Sequence, residues 1–196
     1  MALEERDMNS IGSTMSRKRF LRLAVVSTAA ASMPMLGGCS NNGRALSYSS
    51  LSQVLEELDR MESSTGLELQ QDWSLYKVLR HLAQTIQGAM LGFSEVEPAA
   101  AQSVGKLAFQ YFKTKGYMSH NLTQEVPLVN GQSEVVPDDG DLAEAYYILR
   151  NAIYDFQNFT GSLFPHFAYG ELSYEDWELA NAYHCADHFS SLTYIV

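Results

Sequence analysis

Apolar residues recur at helical spacing through most of the chain beyond residue 48, and this periodicity limits the fold more than any other feature. In the segment that begins at Ser49 they fall at i, i+3, i+4, i+7 and i+10, which makes one stripe along a helix. Similar stripes run through residues 74–93, 99–115 and 141–159, and a last helix follows Ser173. No segment shows the clear alternation of a strand. The pattern predicts an all-α fold, an antiparallel four-helix bundle with one additional helix.

Short polar residues and glycines mark where these helices begin and end. Asp72 or Ser74 is suited to cap the second helix and Ser173 the last one, while Gly116 suits the position after the third helix. On the third helix the pattern predicts five inward residues: Val104, Leu107, Ala108, Tyr111 and Phe112. Residues 117–140 carry turn signals and no periodicity, so they predict a long irregular loop between the third and fourth helices, either functional or mobile.

The first 38 residues have the layout of an export signal. The basic stretch Arg17–Arg22 precedes an apolar run, residues 23–37, and that run is shorter than the roughly 20 residues that a membrane-spanning helix needs. The stretch that begins at Ser16 resembles the twin-arginine motif, with Lys18 in place of the second arginine. Twin-arginine export and Sec export are therefore both open.

The signal ends in a pattern that indicates a lipid anchor. Leu36–Cys39 resembles the lipobox of bacterial lipoproteins, in which the cysteine becomes the acylated first residue. The chain then divides into a signal peptide (1–38), a tether (39–48) and a helical bundle (49–196), with Cys39 as the lipidation site. A cleaved signal without a lipid and a retained anchor are the alternatives. We expect export to the periplasmic side of a bacterial envelope; the serine after the cysteine favours the outer membrane if the host has one.

The chain is acidic, with a formal net charge of -10. Binding to nucleic acid needs a basic surface that neutralises phosphates, so nucleic acid is excluded as a partner. Of the two cysteines, Cys39 is expected to be acylated, so Cys185 has no partner for a disulfide. The sequence contains no glycine-rich phosphate loop, no G-x-S-x-G motif and no C-x-x-C motif. It therefore identifies no catalytic residue and no organic cofactor.

Three of the five histidines lie where a helical fold can bring them together. His184 and His188 are four residues apart on the inward face of the last helix, as in helical zinc sites. His81 lies at the edge of the stripe on the second helix and can supply a third nitrogen. Three neutral imidazoles suit a divalent ion such as zinc, nickel or iron, and leave a position for water or a substrate thiolate. Asp187 can accept a hydrogen bond from one of these imidazoles, while Cys185 points away.

Each histidine also has a structural alternative. A buried imidazole is usually hydrogen-bonded within the core, and this alternative applies most to His81 taken alone. His120, in the irregular segment, is expected to be exposed. His166 follows a proline and is expected to make a structural contact in the connector before the last helix, residues 162–172.

Four segments of the chain resemble one known superfamily. Asp72–Gln84, which contains W-S and V-L-R-H-L-A, is similar to a helix start of the DinB-like (DinB/YfiT) four-helix-bundle superfamily. Val104–Met118, His166–Trp177 and Tyr183–His188 are similar to a branch of unknown function. The resemblance implies a bundle whose divalent metal is held by one histidine of the second helix and two of the last, the positions selected above. Some relatives are metal-dependent thiol transferases or isomerases, but Asp187 replaces a frequent histidine, so no reaction is implied.

Two functions follow from these observations. The first is a metal-dependent enzyme that acts on a small molecule, either a thiol or an electrophile conjugated to one. The second is a non-catalytic binding or structural lipoprotein of the envelope, in which the histidines are packed or relict. A homodimer is compatible with both.

Overall fold

The structure, a computed structural model, describes residues 44–195, so the expected signal peptide and the lipidation site Cys39 lie outside the described residues. The described part is mostly helical, with five helices and one two-stranded sheet. The elements in chain order are α1 (Leu51–Ser63), β1 (Leu67–Leu69), α2 (Leu75–Leu91), α3 (Ala99–Lys115), α4 (Leu142–Gln157), α5 (Tyr174–Ser190) and β2 (Leu192–Tyr194). None of the described helices is long and apolar enough to cross a membrane.

Side-chain caps begin the helices where the sequence predicts them. The Ser74 hydroxyl accepts a hydrogen bond from the Lys77 backbone N–H at the start of α2, and the Ser173 hydroxyl does the same for Asp176 at the start of α5. α3 ends at Gly116, whose φ of 77° lies in the left-handed region that favours glycine. These predictions are confirmed because each end depends on neighbours within about one helical turn.

The core lies between four of the helices. α2 packs against α4 and α5, and α1 packs against the same two helices. On α1 the predicted stripe is buried at Leu51, Val54, Leu58 and Met61. α2 is buried around most of its circumference because it has neighbours on two sides. The antiparallel arrangement of these helices as a four-helix bundle stays a prediction.

A small antiparallel sheet, which the sequence does not reveal, joins the segment after α1 to the C-terminal end. Leu67 lies opposite Tyr194 in β2. Each strand has three residues, too few for an alternating pattern to be recognised. The sheet is tied to α1 by the buried Glu57 carboxylate, which accepts hydrogen bonds from the Tyr194 hydroxyl (2.8 Å) and from Arg44. The fold was expected to be all-α, whereas the described residues are mostly helical and also contain this small sheet.

α3 packs differently from the prediction. Three of the five residues expected to point inward are exposed: Val104, Leu107 and Tyr111. Phe109 is the buried residue of this helix. Gly105 lies so close to the connector before α5 that a Cβ atom there would overlap the Ala168 carbonyl oxygen. The predicted stripe was wrong because α3 packs on the connector, so Val104, Leu107 and Tyr111 are left in solvent.

Two segments without helices pack against the helical part. In the predicted irregular loop, residues 117–140, Val129 is buried and forms an isolated antiparallel bridge with Phe93. In the described part of the expected tether, residues 44–48, the Arg44 backbone N–H donates to the Ser190 carbonyl oxygen (2.8 Å). Both segments are therefore held by specific backbone hydrogen bonds.

Candidate metal centre

α2 and α5 bring the three histidines selected from the sequence into one buried group. His81 lies on α2, and His184 and His188 lie one turn apart on α5. Their exposed fractions are 1%, 9% and 0% respectively. Within residues 44–195 this is the group of potential ligand atoms that all lie within 4.8 Å of one another. The packing of α2 on α5 thus produces the convergence that the helical spacing predicted.

The distances between the imidazoles match those around a single ion. The Nε2 atom of His184 lies 3.2 Å from Nε2 of His81 and 3.2 Å from Nε2 of His188. The three ring centroids are 4.9–5.1 Å apart. Nitrogens bound roughly 2.0–2.1 Å from a tetrahedral ion lie about 3.3 Å apart. The side chains therefore have the spacing of a three-histidine metal site.

Hydrogen bonding alone does not satisfy the three rings. The Thr85 hydroxyl donates to the Leu82 carbonyl oxygen (2.8 Å), so its oxygen can accept from His184 Nδ1 (3.4 Å). His184 Nε2 then has one lone pair for two neighbouring rings. The Nδ1 atoms of His81 and His188 have no hydrogen-bond partner among the described residues. A shared cation would give each of the three Nε2 atoms a partner, whereas the two Nδ1 atoms stay without one among the described residues.

Burial keeps the three imidazoles neutral. Burial, with smaller contributions from His120 and Lys77, lowers the pKa of His81 to about 3. Burial also holds the pKa values of His184 and His188 well below the ordinary value for histidine, and neighbouring histidines add to this effect. A neutral imidazole offers the lone pair that a metal ion needs. A set of three nitrogens fits zinc, nickel or ferrous iron, whereas magnesium and calcium prefer oxygen.

Trp73 packs against two of the histidines. Its ring lies 5.0 Å from that of His81 in an edge-to-face arrangement and 6.2 Å from that of His188 in a nearly parallel one. The ammonium group of Lys77 lies 4.7 Å from the centroid of the Trp73 ring. The same group pairs with Glu125 of the irregular loop (2.7 Å). An aromatic ring therefore covers this side of the three-histidine group, and the contact of Lys77 with Glu125 ties the loop to α2.

A cavity of about 240 Å³ reaches the histidine group. Its wall includes His184, His120, His166 and Asn181, together with apolar side chains of α3, the irregular loop and the connector. The amide nitrogen of Asn181 is buried and has no hydrogen-bond partner among the described residues. The cavity is of a size for a small molecule, and it would place such a molecule against His184.

His120 is not the exposed loop residue that the sequence predicts. Its ring lies 4.7 Å from that of His184 and 5.1 Å from that of His188, so the prediction was wrong. Its Nδ1 atom lies 2.6 Å from an oxygen of Asp187. The sequence could not reveal this contact, because an irregular loop has no period from which the direction of a side chain can be inferred. The length of the loop was the one available signal.

The remaining candidates have different outcomes. Asp187 was expected to accept a hydrogen bond from one of the three clustered imidazoles. It accepts hydrogen bonds from His120 instead. His166 makes the predicted structural contact, because its Nδ1 accepts from the backbone N–H groups of Ala168 (3.1 Å) and Tyr169 (3.2 Å). Cys185 is buried, and burial raises the pKa of its thiol. A neutral thiol of this kind is a poor ligand, in agreement with its exclusion from the site.

Comparison with known proteins places the chain in a family without assigning it a reaction. No curated protein matches the chain. No solved structure matches it either. A family model described as a protein of unknown function (DUF1569) matches residues 40–194. This range contains every residue of the histidine group and of the cavity beside it. The chain therefore belongs to the DUF1569 family.

Proposed function

We propose that this protein binds one divalent metal ion, zinc, nickel or iron, through His81, His184 and His188. The observation that carries the proposal is the convergence of three neutral, buried imidazoles: His184 Nε2 lies 3.2 Å from Nε2 of each of the other two, close to the spacing of tetrahedral ligands, and the three ligand atoms all lie within 4.8 Å of one another. With three protein ligands, one position stays open, as in catalytic and not in structural sites. A bound ion of this kind lowers the pKa of water or of a thiol at its open position.

We further propose that the open position serves chemistry on a small molecule, either a thiol or an electrophile conjugated to one. The cavity of about 240 Å³ supports this, because it brings a molecule of limited size against His184. The apolar part of the wall includes Phe112 and Val126, which would exclude water from an occupied cavity. The polar groups on the wall, among them Asn181, can orient the molecule by hydrogen bonds.

Metal analysis of purified protein and of histidine variants tests the metal site. We expect about one divalent ion per chain in the wild type, and a loss of nearly all bound metal in His81→Ala and in the triple alanine variant of the group. His166→Ala, a buried histidine outside the group, is the matched control and should keep its metal. Circular dichroism establishes that each variant is folded. A folded triple variant with full metal content would refute the proposal.

The second candidate is a non-catalytic binding or structural protein of the envelope. The observation that favours it is the absence, among the described residues that line the cavity, of a cysteine, serine or carboxylate nucleophile. Ligand exchange separates the two candidates. An ion that a small thiol can reach supports the enzyme, whereas an ion with all positions filled by protein groups supports the structural role.

We also infer that the DUF1569 chain is related to the DinB-like superfamily and that α1, α2, α4 and α5 form its antiparallel four-helix bundle. Support comes from the packing of α1 and α2 on the same two helices and from the one-plus-two distribution of histidines over α2 and α5. An experimental structure tests this inference. A parallel arrangement of neighbouring helices in the core would contradict it.

We propose export and lipid anchoring from the sequence of residues 1–39 alone. The protein is then attached to the periplasmic face of the envelope through the acylated Cys39, with the outer membrane favoured. Metabolic labelling with palmitate and membrane fractionation test the proposal. The Cys39→Ser variant should lose the label and leave the membrane fraction, and a wild-type protein that takes up no label would refute it. Small-molecule binding and a homodimer are the remaining partner proposals.

A further inference from the structure

His120 is fixed in one orientation by Asp187. One carboxylate oxygen of Asp187 accepts two hydrogen bonds from the same residue, from the backbone N–H of His120 (2.9 Å) and from its Nδ1 atom (2.6 Å). Because a carboxylate accepts hydrogen bonds, Nδ1 carries the hydrogen. The Nε2 atom of a neutral ring then has a lone pair and no hydrogen. The contact therefore fixes both the rotation and the tautomer of this imidazole, as carboxylates do for histidines in many active sites.

The free nitrogen of His120 has no use within the described fold. Nε2 is buried and has no hydrogen-bond partner among residues 44–195. Its ring contacts the rings of His184 and His188 at centroid distances of 4.7 and 5.1 Å. Leaving a buried acceptor unpaired costs stability. The simplest physical explanation is that His120 Nε2 is kept free to accept a hydrogen bond from a bound ligand.

His120 lies beside the three-histidine group without belonging to it. The potential ligand atoms within 4.8 Å of one another, among the described residues, come from His81, His184 and His188. His120 and His184 both line the cavity of about 240 Å³. The imidazole therefore lies at the border between the proposed metal and the space from which a small molecule would approach.

We propose that His120 Nε2 accepts a hydrogen bond from a protic ligand at the fourth position of the metal, and that Asp187 is the positioning residue that orients the ring. This inference rests on the proposed metal site and adds a preference to it. The site favours ligands that carry a hydrogen on the atom bound to the metal, such as water, a thiol before its deprotonation or a deprotonated sulfonamide, over ligands that carry none. His120 thus selects ligands without binding the ion itself.

Two variants test the roles of the two nitrogens of His120 separately. In His120→Asn, the amide nitrogen can replace Nδ1 and keep the hydrogen bond to Asp187, but the Nε2 acceptor is lost. In Asp187→Ala, the ring remains and its orientation is released. Ser119→Ala, an exposed neighbour in the same loop, is the matched control. All proteins are loaded with cobalt, and their metal content is measured before any ligand is added.

X-ray absorption measures the number of imidazoles bound to cobalt, and optical titration measures the Kd values of two probes. Methanesulfonamide keeps an N–H on its coordinating nitrogen, whereas thiocyanate has no hydrogen. We expect three imidazoles in the wild type and in His120→Asn. We expect His120→Asn to raise the Kd of methanesulfonamide about tenfold, the effect of one lost hydrogen bond. The Kd of thiocyanate should change less than about twofold. Asp187→Ala should act in the same direction, and Ser119→Ala should change neither Kd.

Three results would overturn this inference. Four imidazoles in the wild type and three in His120→Asn would make His120 a metal ligand. Equally weakened binding of both probes, or unchanged binding of methanesulfonamide, would show that His120 Nε2 makes no hydrogen bond to the ligand. A wild-type protein that binds no metal would refute the proposed function first and this inference with it, whereas the results with the two probes leave the three-histidine metal site intact.

Discussion

Mild acid should destabilise the metal-free protein strongly, because four of its histidines are neutral in the fold. Burial lowers the pKa values of His81 and His166 to about 3. Burial also holds the pKa values of His184 and His188 well below the ordinary range. Each of the four is at most 9% exposed, so solvent screens these effects little. The same four side chains become charged in the unfolded chain near pH 6.5, the ordinary pKa of histidine.

The direction and size of the effect follow from proton linkage. The unfolded chain binds more protons than the fold below about pH 6.5, so the free energy of unfolding falls as the pH falls. The stabilisation is fully present well above that pH. Between about pH 7.5 and about pH 5.5 each histidine loses about 1.3 kcal/mol, and the four together lose about 5 kcal/mol. A domain is usually stable by about 5–15 kcal/mol, so the loss is large.

Urea unfolding with a chelator present, at about pH 7.5 and about pH 5.5, measures this loss. His166→Asn is the matched variant, because an amide oxygen can accept the N–H groups of Ala168 and Tyr169 but does not titrate in this range. Its loss should be smaller than that of the wild type by about 1.3 kcal/mol. A wild-type loss below about 2 kcal/mol, or an equal loss in His166→Asn, would refute the reasoning.

Three further predictions concern stability. Zinc at about 100 times its Kd should raise the free energy of unfolding by about 2.7 kcal/mol, seen as a higher Tm, with no change in the triple histidine variant. Gly105→Ala should cost about 1–3 kcal/mol in urea unfolding, because its Cβ overlaps the Ala168 carbonyl, whereas a gain from helix propensity alone would contradict this packing. Glu57→Gln should cost about 2–3 kcal/mol, since Arg44 and Tyr194 lose a buried carboxylate; an unchanged urea midpoint would contradict it.

Local patterns were sufficient for the helices and for much of the candidate site. The caps at Ser74 and Ser173 and the end at Gly116 depend on neighbours within a turn, so they can be predicted from sequence. His184 and His188 share a face because of their spacing alone. The outward stripe of α3 could not be predicted, because an apolar stripe shows that a helix has two faces and does not show which neighbour covers one of them.

The sequence by itself determined that the chain forms helices, where most of them begin, and that His81, His184 and His188 were the residues to bring together. Tertiary structure alone decided that α2 packs on α5 closely enough for the three nitrogens to converge. It also decided that a loop returns His120 to Asp187 across 67 residues of chain. Periodicity records contacts over three or four residues, whereas these contacts depend on how separate elements pack, and that information is spread over the whole core.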